Sequence, residues 1–112
     1  MSMKIINRGF IIVKPKQAFW DWANAFEEEL SFSEEDECEG SVYLIEEEFM
    51  DFEPVLEKNF KKIFKNELSS VTDEEHFPPK MDLELFLSWF HIDYGSSVFD
   101  SEKSNLLAEN IE

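Results

Sequence analysis

The chain has 112 residues and a formal charge of −16, from 10 Lys and Arg against 26 Asp and Glu, and 43% of its residues are hydrophobic. That apolar fraction, with 12 Phe and 3 Trp, excludes a disordered acidic tail. It predicts a single domain over residues 1–103 and a frayed tail over 104–112. The carboxylate excess argues against direct nucleic-acid binding and against an anionic membrane surface, because both require clustered Lys and Arg.

The N-terminal residues and the cysteine content predict a cytoplasmic protein. The first apolar stretch is broken at residues 7–9, whereas a secretory signal needs an unbroken apolar run and a cleavage site. No stretch reaches the length of a transmembrane helix. The single cysteine, Cys38, has no partner for an internal disulfide, which fits a reducing compartment.

Residues 5–13 are rich in β-branched and aromatic types and predict a first strand that is covered on both faces. Pro15 predicts the end of this strand and the first turn of a helix. Apolar residues then recur at helical spacing over 16–30, which predicts the first helix. An acidic loop at 31–40 and a second strand at 41–47 follow in this prediction.

The second half of the chain predicts two more helices and a strand. Residues 51–68 form the longest helical pattern, with acids early and lysines late, as the helix dipole favours. Asp82 predicts the N-cap of a third helix that is apolar on two faces. Residues 92–100 predict a third strand, half exposed. The order β-α-β-α-α-β predicts a small two-layer α+β domain with a three-stranded sheet, in which a helix joins strands one and two and allows them to be parallel.

Four aromatic-rich stretches stand out: "VKPKQAFWDW" (13–22), "VYLIEEE" (42–48), "SVTDEEHFP" (70–78) and "LFLSWFHIDYGSSVFD" (85–100). Together they resemble a family of small, acidic, uncharacterised bacterial proteins. The resemblance implies one domain and a bacterial source, and it implies no reaction. The acidic loop at 31–40 departs most from the family pattern, so a function of that loop does not follow from the resemblance.

The acidic stretch is the main functional signal. Residues 17–57 contain 15 acids and no Lys or Arg, which predicts a field of one sign that speeds encounter with a basic partner. Aromatic residues outside the helical stripes would supply affinity, since Trp is a favoured interface anchor. We therefore expect a non-enzymatic protein-interaction module, a monomer or homodimer, that needs no cofactor. The predicted partner-binding residues are Trp20, Phe32, Glu34, Glu35, Asp36, Glu37, Glu39, Glu46, Glu47 and Glu48.

The same stretch partly matches a calcium-binding loop. With Gly40 at the sixth position, three glutamates occupy positions one, three and five, and a fourth occupies position twelve: Glu35, Glu37, Glu39 and Glu46. The first ligand should be Asp, and a helix should leave the loop, whereas residues 41–47 predict a strand. The pattern therefore favours a solvated loop, and no metal ligand is predicted.

A small enzyme is the alternative hypothesis. His91 and Asp93 are two residues apart on a predicted strand, where both can share one face and act as a general base, with Tyr94 beside them. No nucleophile accompanies them, and a histidine at a helix C-terminus is explained by the helix dipole, so no catalytic residue is predicted. Two further alternatives are a nucleic-acid mimic and an acidic surface that only maintains solubility.

The remaining candidates have simpler structural explanations. Cys38 is expected to be inert, because the surrounding acids disfavour its thiolate. The lysines of the second helix predict a solvated face, or alternatively a docking point for an acidic peptide or a second copy: Lys58, Lys61, Lys62 and Lys65. Three other aromatic residues lie outside the main stripes and form a binding patch only if they are exposed together: Phe49, Phe77 and Trp89.

Overall fold

The computed structural model describes residues 3–26, 32–36 and 39–111. Its strands are β1 (Lys4–Ile6), β2 (Gly9–Pro15), β3 (Ser41–Ile45), β4 (Phe90–Gly95) and β5 (Val98–Asp100). Its helices are α1 (Gln17–Ala23), α2 (Phe52–Ser69) and α3 (Leu83–Trp89), with short 3-10 turns at Asn24–Phe26 and Glu74–His76. The α+β class and the three predicted helices are confirmed. The predicted C-terminal part of the first helix, beyond residue 26, lies outside the described residues.

Two antiparallel sheets replace the single predicted sheet. One has the strand order β3-β2-β4 and the other pairs β1 with β5. The predicted strands at 5–13 and 92–100 each divide in two, because the ladder between them contains a β-bulge. Between the pairs Ile6–Val98 and Phe10–Gly95, the three residues 7–9 lie opposite the two residues 96–97. An extra residue of this kind bends the strand and interrupts its pairing.

Gly9 occupies this bulge because the backbone there leaves no room for a side chain. A Cβ atom on Gly9 would lie 2.9 Å from the carbonyl oxygens of both Glu46 and Gly95. The Gly9 N–H donates to the Glu46 carbonyl oxygen at 3.2 Å. The glycine therefore lets two neighbouring strands approach the bend at the same point.

The parallel pairing that the sequence allowed for the first two long strands does not occur. β2 and β3 are antiparallel, with Gly9 opposite Ile45 and Val13 opposite Ser41. β3 therefore starts at the end of the sheet where β2 stops. The chain between them, including the seven-residue helix α1, returns at that same end instead of crossing the sheet face.

Pro15 is the last residue of β2, opposite Phe90, and not part of a helical first turn as expected. A proline at a strand end costs little, because its missing N–H removes only one terminal ladder bond. Along β2, Ile11 and Val13 are fully buried, whereas Phe10 and Ile12 on the opposite face are half-buried. The prediction of two covered faces therefore holds for only one face.

The helices cover the face of the sheet that carries Ile11 and Val13. α2 contributes more core residues than any other element, and these residues recur at spacings of three and four. The buried apolar residues are Ile11, Val13, Phe19, Ala23, Ile45, Val55, Leu56, Phe60, Ile63, Phe64, Leu68, Phe86 and Phe90. No helix within the described residues is both long and apolar enough to span a bilayer.

Asp82 is the N-cap of α3, as predicted: the Leu85 N–H donates to Asp82 Oδ1 at 2.9 Å. That bond lowers the pKa of the Asp82 carboxyl below its usual value. α3 ends at Trp89, and the next residue is already in β4. His91 therefore lies on a strand, and the proposed explanation by a helix C-terminus is wrong for it.

Candidate interaction site

Trp20 and Phe32, which are twelve residues apart, lie together in the structure. Their ring centroids are 5.3 Å apart at an interplanar angle of 39°. Asn24, just after α1, holds Phe32 in this position through both polar atoms of its side-chain amide. Its Nδ2 donates to the Phe32 carbonyl oxygen at 2.7 Å, and its Oδ1 accepts from the Phe32 N–H at 3.1 Å. A side chain that hydrogen-bonds both the backbone N–H and the backbone C=O of one residue satisfies these groups as a neighbouring strand would. It therefore fixes the local backbone.

A cleft of about 320 Å³ lies beside this aromatic pair, between α1, β3 and the end of α2. Phe19 and Trp20, in edge contact at 5.0 Å, and Phe32 supply its aromatic wall. Two carboxylates also line the cleft, Glu39 before β3 and Glu67 near the end of α2. A cleft that combines aromatic side chains with convergent polar groups can serve as a ligand site.

Glu67 is fixed in place by a short polar network. The Tyr43 hydroxyl donates to Glu67 Oε2, and Asn66 Nδ2 donates to the Tyr43 hydroxyl oxygen at 2.9 Å. Burial and the neighbouring Glu67 raise the pKa of Tyr43 above its usual value, although the Asn66 contact opposes the shift. Tyr43 therefore stays protonated and keeps its hydroxyl as a donor to Glu67.

The two carboxylates of the cleft have no basic partner among the described residues. Within residues 3–26, 32–36 and 39–111, neither Glu39 nor Glu67 forms an ion pair with a basic side chain. Glu39 is exposed and Glu67 is half-buried. Half-burial strengthens the attraction of a carboxylate for a positive group, because less water screens it.

Glu34, a predicted partner-binding residue, also makes contacts within the fold. Its Oε1 accepts from the N–H of Gln17, the first residue of α1, at 2.8 Å, and Gln17 Oε1 accepts from the Glu34 N–H at 3.0 Å. His91 Nε2 lies 3.4 Å from Glu34 Oε2. The bond from Gln17, followed by the one from His91, lowers the pKa of the Glu34 carboxyl.

The other predicted acids fall into two groups at opposite ends of β3. Asp36 closes a turn by accepting from the Ser33 N–H at 2.7 Å, while Glu35 is exposed, and Glu37 and Cys38 lie outside the described residues. The second group, at residues 46–48, follows β3 and is exposed. Glu46 Oε1 in that group lies 3.7 Å from the Lys58 ammonium of α2.

The structure does not assemble the alternative enzyme site. His91 and Asp93 are exposed on β4, opposite Lys14 and Ile12 of β2. Asp93 Oδ1 accepts from the Tyr94 N–H at 3.0 Å, and the carboxylate beside His91 belongs to Glu34. The Tyr94 ring stacks on Phe52 at 3.7 Å, on the opposite face of the strand from His91 and Asp93.

The calcium-loop frame fails at its second flank, because Gly40 leads directly into strand β3, as the sequence predicted. A calcium-binding loop of that type needs a helix there. Among the described residues, no three His, Cys, Asp or Glu side chains come close enough to hold a metal ion.

The lysines of α2 and the other aromatic residues have mainly structural contacts. Lys58 pairs with Glu46, and Lys65 lies 3.9 Å from Glu74, in a solvated setting where such pairs contribute little. Phe49, Phe77 and Trp89 are half-buried and pack against the core. They therefore do not join Trp20 and Phe32 in one exposed patch.

Comparisons with protein-family models, with curated proteins and with solved structures found no match to this chain.

Sequence reasoning selected Trp20, Phe32 and Glu39 of the cleft and missed Asn24, Tyr43 and Glu67. One signal for Glu67 was present in the sequence. It is a carboxylate in the last turn of α2, where the negative end of the helix dipole disfavours an acid. An acid at this unfavourable position indicates that its carboxylate has a hydrogen-bond partner outside the helix or a role in binding.

Proposed function

We propose that this chain is a protein-interaction module that binds a basic partner protein through the cleft and the acidic residues around it. The observation that carries the proposal is the cleft itself. It combines the Trp20–Phe32 pair with two carboxylates, Glu39 and Glu67, that form no ion pair within the described residues. The pairing of aromatic anchors with unneutralised acids suits a positively charged protein surface.

The charge and the cleft would act at different stages of binding. A formal charge of −16 attracts a basic protein over distances of about 10 Å at moderate ionic strength, and so raises the association rate. The aromatic wall then provides apolar area that is removed from water in the complex, which slows dissociation. The proposal places the module in the cytoplasm of a bacterium, in keeping with the family resemblance and the single cysteine.

Affinity capture from a bacterial lysate at low ionic strength tests the proposal. The immobilised chain should retain a basic protein that elutes as salt is raised, because the screening length shortens. A fourfold variant, in which four exposed acids of residues 35–48 are neutralised, should retain much less of the basic protein: Glu35→Gln, Glu39→Gln, Glu47→Gln and Glu48→Gln.

The matched control removes the same charge from exposed acids outside residues 17–57: Asp73→Asn, Glu84→Gln, Glu102→Gln and Glu109→Gln. The control variant should capture the partner as well as the wild-type chain does. Equal loss in both variants would show that only total charge matters, and an absence of any retained basic protein would refute the proposal.

A further inference from the structure

We propose that the cleft between α1, β3 and the end of α2 binds the guanidinium group of one arginine side chain of the partner. This inference rests on the proposed function and names the group that the cleft recognises. Three features of the cleft support it: the aromatic side chains on its wall, the carboxylates that line it, and its size.

The wall of the cleft suits a planar cation. Phe32 is 36% exposed, and its ring is tilted by 39° against the partly buried Trp20 ring. A guanidinium stacks on such ring faces through both its charge and its flat shape, whereas an ammonium group acts only as a point charge. Because Asn24 fixes the Phe32 backbone, the wall is preorganised and little entropy is lost on binding.

The carboxylates of the cleft exclude other classes of ligand. An anionic group would be repelled by Glu39 and Glu67. A purely apolar group would remove water from both carboxylates without replacing its hydrogen bonds, which is costly. An arginine offers five N–H donors in a fixed fork that matches carboxylate oxygens, and so satisfies them while its stem contacts the rings.

The size of the cleft fits one side chain. Its volume of about 320 Å³ is at the lower limit for small-molecule sites, which span about 300–1,000 Å³. Interface hot spots commonly consist of one Arg, Trp or Tyr that fills a small pocket on the partner.

Nuclear magnetic resonance titration with short capped peptides tests the inference. The probe is acetyl-Gly-Arg-Gly-amide, and its matched controls carry citrulline, which is isosteric and neutral, or lysine at the central position. The arginine probe should saturably shift the Trp20 indole N–H and the Phe32 and Glu39 amide signals. Citrulline and lysine should each bind at least about fivefold more weakly, the ratio expected when a stacked cation is removed or loses its planarity.

Two variants separate the wall from the charge. Phe32→Leu keeps an apolar side chain but removes the ring, and Glu39→Gln removes one carboxylate charge. Each should weaken arginine-probe binding by about fivefold. Glu102→Gln, at an exposed acid that does not line the cleft, should change it by less than about twofold. The amide spectrum of each variant shows whether its fold is intact.

Equal binding of the citrulline or lysine probe would overturn the inference, as would shifts confined to residues 46–48 with Trp20 and Phe32 unchanged. In the latter case a basic partner would still be attracted, so the proposed function would stand while the arginine site would not. Lysate capture that retains no basic protein would remove the proposed function independently of the peptide result.

Discussion

Glu34 illustrates how one acidic residue can stabilise the fold. Its carboxylate accepts the Gln17 N–H at the start of α1, and this bond lowers its pKa below the ordinary 4.5. A lowered folded-state pKa stabilises the protein above the unfolded pKa, and the contribution is lost as the pH falls through the folded value. Glu34 therefore stabilises the protein at neutral pH and ceases to do so in acid.

We expect Glu34→Gln to lower the urea midpoint of unfolding at neutral pH and to lower it much less in acid, once the pH has fallen below the lowered folded-state pKa of the wild-type carboxyl. Urea unfolding of both proteins across this range measures the difference, which isolates Glu34 from the other acids. Parallel pH profiles would contradict the assigned contact.

Adding even a single methyl group at Gly9 should destabilise the fold. Gly9→Ala should destabilise the fold by about 1–3 kcal/mol, because the new Cβ meets two carbonyl oxygens that belong to neighbouring strands. Chemical denaturation measures this change. Ser97→Ala, at an exposed position of the same bulge, is the control and should change stability by no more than about 0.5 kcal/mol.

At the scale of elements, the long helix was predictable and the strand pairing was not. α2 spans Phe52–Ser69 against a predicted 51–68, because eighteen residues carry enough apolar repeats to fix a helical period. The β-bulge depends on which residue lies opposite which, and a single strand does not contain that information. The direction of β3 depended likewise on where the chain between β2 and β3 returns.

The N-cap hydrogen bond of α3, made by Asp82, gives a stability prediction at the scale of one element. Asp82→Ala should lower the unfolding midpoint, because the Leu85 N–H loses its acceptor, whereas Asp82→Asn should retain most of the stability. Thermal unfolding followed by circular dichroism compares the two variants. An equal loss in both would mean that charge, and not the cap hydrogen bond, is what Asp82 provides.

The cleft shows the same limit on prediction from sequence. Trp20 and Phe32 were identifiable because each lies outside the apolar stripes. Their contact depends on Asn24, whose side-chain bonds to Phe32 bridge eight residues. Glu67 comes from a different part of the chain altogether, so only the packing of α2 beside β3 places it at the cleft.

For the whole molecule, the net charge of −16 predicts a stability that depends on salt. Like charges repel in the compact state, and added salt screens them. The melting temperature should therefore rise between low ionic strength and about 0.5 M sodium chloride. The fourfold Glu→Gln variant of the acidic segment should show a smaller rise in the same calorimetric experiment. A melting temperature that is independent of salt would contradict the claim that repulsion among the acids destabilises the fold.

Binding of a fluorescent arginine-rich peptide as a function of ionic strength tests most directly whether this acidic, aromatic surface takes a basic partner. Affinity should be highest at low salt and fall steadily as salt is added, with a smaller maximum in the Phe32→Leu variant. Affinity that persists unchanged across the salt series, or no binding even at the lowest salt, would contradict the assignment.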